Sequence, residues 1–320
     1  MASHHDLLER RVEMKNESSI AIYFWLLLVP LFWGGAFVAA EHVITEIPPV
    51  TAAAFRFGSA GVILLAIVLM QKKIDIQAIK KQWIPILFMA LTGIFGYNLF
   101  FFIALDITTS INGSLIVATT PVMITLGAVF FLGEKWDKRL GFGLALSLLG
   151  VIVVISKGSI QTLLQLEFNT GDILFLCALV CWVAHGLLGK MAMRNVSPIV
   201  TTTLTTLLGG FFLAIGSLFE SGWHLLPAMS NQAWLEMLFM IVCSSVIGFL
   251  LWNYGIKQIG ASKASIYMNL VPICTALIAV FLYGAAFTFI QLSGMIMVLL
   301  GVYLVTLHPY LKEKRMKRKI

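Results

Sequence analysis

Residues 114–154, SLIVATTPVMITLGAVFFLGEKWDKRLGFGLALSLLGVIVV, and residues 265–305, SIYMNLVPICTALIAVFLYGAAFTFIQLSGMIMVLLGVYLV, carry one pattern twice. Laid over each other without a gap, at an offset of 151, they agree at 13 of 41 positions. The agreements include Pro121/Pro272, Gly133/Gly284, Gly143/Gly294 and Gly150/Gly301, with the runs Ala128-Val129-Phe130 and Ala279-Val280-Phe281. Earlier in the chain an offset of 149 pairs Trp33 with Trp182, Pro49 with Pro198 and Gly61 with Gly210. A repeat of this period marks a duplicated structural unit. The copies meet near residues 157–170.

Each copy holds five apolar runs of membrane-spanning length. The spans expected are 20–41, 49–70, 84–105, 111–132 and 139–156, then 171–191, 199–219, 233–255, 262–283 and 288–307. A run of about 20 residues rises about 30 Å as a helix, the thickness of a bilayer core. Because five is odd, equivalent helices run in opposite directions. Charge follows the same logic. Lys72, Lys73, Lys80, Lys81, Lys135, Lys138, Arg139, Lys190, Arg194, Lys257 and Lys263 fall in or beside alternate gaps; the C-terminal tail is basic-rich, and the N-terminal tail mixes Arg10, Arg11 and Lys15 with acids. Basic residues stay on the cytoplasmic side. Equivalent positions also change character: Glu41 aligns with Lys190, and Lys138-Arg139 with Phe289-Ile290. The fold expected is all-α and integral to the cell membrane, multi-pass, with ten transmembrane helices as two inverted five-helix repeats and both termini cytoplasmic. Its parts are an N-terminal tail 1–19, repeats 20–156 and 171–307, and a basic tail 308–320.

With 59% hydrophobic and 12% charged residues, the chain is not a soluble globular domain. Its net charge of +7 sits in loops and tails. There it meets anionic lipid at the cytoplasmic face and is no nucleic-acid footprint. Cys177, Cys181, Cys243 and Cys274 lie within spans, which argues against a disulfide framework. The gap from Gln71 to Trp83 reads either as a segment along the membrane surface or as a solvated loop.

Inverted five-helix repeats are a common architecture of secondary transporters, with the solute site between the halves near the midplane. The motifs point the same way. Phe32-Trp33-Gly34-Gly35-Ala36-Phe37 stands in the first span, and Pro49 with Arg56-Phe57 in the second. Ala104-Leu105, Ser110, Ser114, Pro121 and Gly133-Glu134-Lys135 follow, then Gly143 and Gly150. In this ordered set the chain resembles the drug/metabolite transporter superfamily, in its ten-helix EamA-type branch. The second half departs from the pattern: Ala285-Ala286 follow Gly284, and Thr205 aligns with Arg56. The resemblance implies transport of small polar metabolites such as amino acids or sugars.

Arg56 is the one Lys or Arg well inside a span; Arg139, Lys190 and Lys263 stand at span ends. It lies seven residues into its helix, about 10 Å along it. A charge at a helix centre costs about 2.5–3.5 kcal/mol on insertion scales, less toward the interface. Arg56 therefore faces the bundle interior or a wet cavity, as an anion contact or gate, or as a structural ion pair or snorkelling side chain. Acidic partners on the outer side would be Glu41, Glu46, Asp106, Glu220 or Glu236. No Asp or Glu falls near a helix midpoint, which disfavours a proton-coupled pump for cationic drugs. The expected substrate-binding wall is Trp33, Arg56, Tyr97, Asn98, Thr119, Trp182, His185, Ser245, Tyr267 and Asn269, with Thr120 and Ser244 beside it. Polar side chains in lipid turn inward for partners, so any of these also reads as glue between helices. Cys177, Cys181 and His185 share a helix face, but no carboxylate joins them; a hydrogen-bonded interior histidine is expected there rather than a metal site. Pro121 and Pro272 read as hinges or kinks, and the paired glycines as close helix packing.

No catalytic arrangement, phosphate loop or cofactor motif is present in the sequence. The function expected is a secondary transporter that exports a small polar or amphipathic metabolite, amino-acid-like, by alternating access. The alternative is a membrane receptor or partner-binding subunit without transport. Single cysteines at Gln77 and Glu313 should label only from the cytoplasm, and one at Gly222 only from outside. Labelling of Gln77 and Gly222 from the same side would overturn the ten-span reading.

Overall fold

The computed structural model describes residues 4–71, 74–105, 107, 116–165, 169–283 and 288–306. Lys72, Lys73, Asp106, Ser110, Ser114, Gly284 to Ala286 and the tail 308–320 lie outside them. Among the described residues every regular element is helical. The first helix, α1, is His4–Glu46; the polar residues ahead of Ile20 continue the same helix as the apolar stretch Ala21–Glu46. Then come α2 (Pro49–Gln71) and α3, which passes from Trp83–Met89 through a π-helical stretch, Ala90–Gly96, to Tyr97–Leu105. The first half closes with α4 (Ile116–Leu132) and α5 (Lys138–Ser156). The second half opens with α6 (Thr170–Ala192) and α7 (Pro198–Ser217). Next is α8 (Asn231–Ile259), with a π-helical stretch at Met240–Gly248. Helix α9 runs as Ala261–Ser265, a 3-10 stretch Ile266–Leu270, and Val271–Tyr283; α10 is Phe289–Val305.

Eight of these helices are long and apolar enough to cross a membrane, and α4 and α10 are shorter apolar helices. Phe130, Phe131, Phe219, Phe281 and Phe289 stand exposed, a surface that a bilayer solvates and water does not. The gap between α2 and α3 holds a short helix, Ile76–Lys81, whose first turn is capped by the Asp75 carboxylate accepting from Ala78 N.

In lipid, burying leucine against leucine gains little, because acyl chains are equally apolar; close packing must hold helices together. Glycine supplies it here. Helices α5 and α10 run antiparallel, with Gly143 against Gly301 and Gly150 against Gly294. A β-carbon on Gly150 would stand 2.6 Å from the Gly294 carbonyl oxygen, and one on Gly301 2.6 Å from that of Gly143. Helices α2 and α7 also run antiparallel. Gly61 meets Leu207, and a β-carbon on Gly210 would lie 2.9 Å from Gly58 N. In both seams one contact becomes the other when the two copies of the repeat are exchanged. The remaining packing exchanges likewise: α1 lies on α8 and α9, and α6 lies on α3 and α4.

Helix ends are closed by side chains, as bare polar backbone requires near lipid. Asn169 and Asp172 form a reciprocal cap on α6, and Thr288 and Gln291 one on α10. The Glu220 carboxylate accepts from Val50 N (3.1 Å) and Thr51 N (2.8 Å) at the start of α2. Glu134 accepts from Ala261 N (2.8 Å) and Ser262 N (3.1 Å) at the start of α9. Anions at helix N-termini are favoured by the helix dipole. Two left-handed glycines shape that last contact: Gly133 (φ 67°) ends α4, and Gly260 (φ 89°) precedes α9. Lys190 Nζ donates to the carbonyls of Ile256 (2.9 Å) and Lys257 (3.0 Å) near the end of α8.

Pro121 stands in the first turn of regular helix after an irregular residue at Thr119, and Pro272 where the 3-10 stretch of α9 gives way to α-helix. Both occupy turns where a missing N–H costs little. The irregular backbone lies just ahead of each proline, while Pro30 sits inside α1 without breaking it.

Gly150→Val should force α5 off the α10 backbone, losing about 1–3 kcal/mol of stability, whereas Leu149→Ala on the exposed face should cost far less. Thermal unfolding in detergent compares them; equal melting temperatures would show the seam to be slack.

Candidate functional site

The two π-helical stretches occupy corresponding helices, α3 and α8, and each meets a ring from the opposite half. Trp33 on α1 donates Nε1–H to the Ser244 carbonyl on α8 at 3.2 Å. His185 on α6 faces the Met89 carbonyl on α3 across 3.0 Å from its Nδ1. A carbonyl only accepts, so Nδ1 carries the proton and Nε2 is left an acceptor, without a partner among the described residues. Glycines admit both rings. A β-carbon on Gly93 would lie 2.1 Å from His185 Nδ1, and one on Gly248 2.9 Å from Trp33 Nε1. Widened π turns recur at functional sites because they re-aim backbone and side chains.

Trp33 and Trp182 meet edge to face at 5.4 Å, 7% and 6% exposed. They lie side by side in the interior and touch, rather than facing each other across an open cavity. Around them Trp33 contacts Phe249 (5.5 Å) and Trp252 (5.5 Å), and Trp182 contacts Tyr97 (5.3 Å). His185 stacks on Trp182 at 5.3 Å and 12°. The wall continues from Tyr97 to Phe101 and Phe37.

Arg56 reaches this group from α2. Its Nε donates to Ser245 Oγ (2.8 Å) and its Nη2 to Ser244 Oγ (2.7 Å). Both serines are fully buried. The guanidinium carbon lies 4.9 Å from the centroid of the Phe57 ring, which in turn packs on Phe249. Tyr97 is within electrostatic reach. Ser244 thus serves both sides of the site: its hydroxyl holds Arg56 and its carbonyl holds Trp33. The expected acidic partners are engaged elsewhere. Glu46 accepts from Ser230, Glu220 caps α2, and Glu236 pairs with His42 at 2.6 Å. Glu41 is exposed, and Asp106 lies outside the described residues.

Six of the expected wall residues therefore come together: Trp33, Arg56, Tyr97, Trp182, His185 and Ser245. The others hold backbone or neighbouring helices. Asn98 Nδ2 donates to Ile94 O, and Thr119 Oγ1 to Ile116 O. Tyr267 OH donates to Tyr23 O (3.1 Å), and Asn269 Nδ2 to Ser147 Oγ (2.8 Å). Phe249 and Trp252 were not expected at the site. Their signal was present: with Ser245 they fall at spacings of four and seven, one face of α8. Among the described residues no group of three or more His, Cys, Asp or Glu is placed to hold a metal. A groove of about 650 Å³ lies apart from this site, between α2 and α7, lined by Gly58, Ser59, Gly210 and Phe211. It holds no charged side chain.

Known proteins resemble the chain in sequence and in fold. The model of the EamA-like transporter family matches residues 20–156 and 169–307. The uncharacterized transporter YyaM of Bacillus subtilis (strain 168) is 35% identical over 281 residues, 88% of this chain and 92% of that protein. An uncharacterized transporter of Archaeoglobus fulgidus is 27% identical over 281 residues, 88% of this chain and 96% of that protein. One crystal structure superposes with a TM-score of 0.75 at 19% identity, covering 90% of this chain and 98% of that one; it speaks to the fold alone. A duplicated, multi-pass helical membrane protein whose two segments both match one family, the chain belongs to the EamA-like transporters.

Proposed function

We propose that this protein is a secondary transporter of ten spans, built as two inverted five-helix units over 20–156 and 171–307 with both termini cytoplasmic. It moves a small polar or amphipathic, amino-acid-like solute out of the cell by alternating access. The observation that carries this reading is the meeting of Trp33 and Trp182, equivalent in the two copies, beside Arg56. Residues from both halves converge there, where inverted-repeat transporters place their solute. Aromatic rings with a few polar groups suit a small amphipathic molecule. The antiparallel seams α2/α7 and α5/α10 support the inversion. In the proposed cycle the contact between the indoles opens toward one face and then the other, while Pro121 and Pro272 lie beside the irregular turns about which α4 and α9 bend.

The family makes a small-molecule substrate the natural partner. Trp182→Ala should cut solute exchange in proteoliposomes at least tenfold while insertion and purification stay normal. Trp252→Phe, which keeps an aromatic ring, should cost less. Full exchange by Trp182→Ala at normal protein yield would move the site away from the tryptophan pair.

A further inference from the structure

Arg56 is a fixed positive charge inside the bundle whose described partners are all neutral. Its Nε and Nη2 face the hydroxyls of Ser245 and Ser244, and its plane approaches the Phe57 ring. No carboxylate among the described residues pairs with it; Glu46, Glu220 and Glu236 are each committed to other contacts. A guanidinium offers five N–H groups in a planar fork, and two parallel N–H groups match a carboxylate in a bidentate pair. The serines take the Nε–Nη2 edge. The second edge, between Nη1 and Nη2, has no acceptor among the described residues, and Arg56 keeps part of its surface accessible.

We infer that the transported solute carries a carboxylate, which docks on the free Nη1–Nη2 edge of Arg56 and supplies the counter-charge the protein withholds. This rests on the transporter reading above and narrows its substrate class. Ser244 and Ser245 act as positioning residues. They fix the plane of the fork, and the carbonyl of Ser244 sets Trp33 beside it. A solute anchored at Arg56 therefore lays its remaining atoms along Phe57, Phe249 and Trp33, and an apolar body suits that wall. A solute whose only charge is an ammonium meets repulsion from the same guanidinium. Lysine at 56 would keep the charge and lose the fork.

Proteoliposomes holding the full-length protein, exposed to a whole-cell metabolite extract, test this without a guess at the solute. Trapped compounds are identified by mass spectrometry in both ion modes against empty vesicles. Compounds enriched by the wild type should bear a carboxylate. Arg56→Gln should lower their trapping at least tenfold, Arg56→Lys nearly as much, and Ser244→Ala a few-fold. As a binding readout on detergent-solubilised protein, 3-phenylpropanoate should perturb tryptophan fluorescence at concentrations at least tenfold below 3-phenylpropanamide, and Arg56→Gln should erase that difference. Melting temperatures screen out misfolded variants. Enrichment by the wild type of solutes that lack a carboxylate, or undiminished carboxylate trapping by folded Arg56→Gln, overturns the carboxylate site and leaves transport standing. Enrichment of nothing overturns the transporter reading and the site with it.

Discussion

Helices in a bilayer gain almost nothing by hiding apolar surface from one another, so the backbone must come close enough for dispersion to hold them. That constraint explains the glycine seams. At α5/α10 and α2/α7 the main chains approach so nearly that a single β-carbon would intrude on a carbonyl or amide of the facing helix. Both seams join helices that the sequence repeat makes equivalent. Because they lie antiparallel, each seam closes on itself. The same surface serves both partners, as in a two-fold dimer, and the halves are bound as such a dimer would be.

With the frame held this way, the interior can take irregular backbone. The π-helical stretches of α3 and α8 widen turns in the middle of apolar helices, and side-chain donors from the opposite half meet a carbonyl within the stretch of α8 and one just ahead of that of α3. The carbonyls of Ser244 and Met89 and the ring N–H groups of Trp33 and His185 that meet them are paired inside the protein, as a setting poor in water demands. The cross-half hydrogen bonds of Trp33 and His185 are therefore both structural ties and parts of the candidate site. Their rings can leave only if another acceptor or water takes over.

Helix positions were legible because bilayer thickness dictates length. The apolar run 139–156 became Lys138–Ser156, and 49–70 became Pro49–Gln71. The proximity of Trp33 and Trp182 was legible from their equivalence in the repeat. The partner of Arg56 was not. A lone cation invites a search for acids, and the outer-side acids within the described residues turned out to cap helices, pair with His42, or stand exposed. Serines at 244 and 245 look like ordinary small residues of a span. Only the widened turn and the rotation of α8 bring both hydroxyls to one guanidinium, and residue type does not encode rotation. For the same reason Tyr267 and Asn269 resembled site residues. A polar side chain at mid-depth needs a partner, and depth alone does not say whether that partner is a solute or the next helix.

Glu134 has an effect that reaches beyond the end of α9. In the alternating-access cycle proposed above, two interchangeable halves would give degenerate end states, each contact in one having a mirror contact in the other. Glu134 makes a contact that the repeat does not mirror. It ties the turn after α4 to the first amides of α9, and the residue at the corresponding place in the second copy is Ala285, which has no carboxylate to offer. Hydrogen bonds from amides to a charged group contribute about 1.5–3 kcal/mol each. In such a cycle, a contact of that size made in one end state alone would shift the balance between otherwise equal conformations by at least about tenfold. Asymmetry of rest can thus be written into a symmetric frame by one side chain, at a distance from the candidate site.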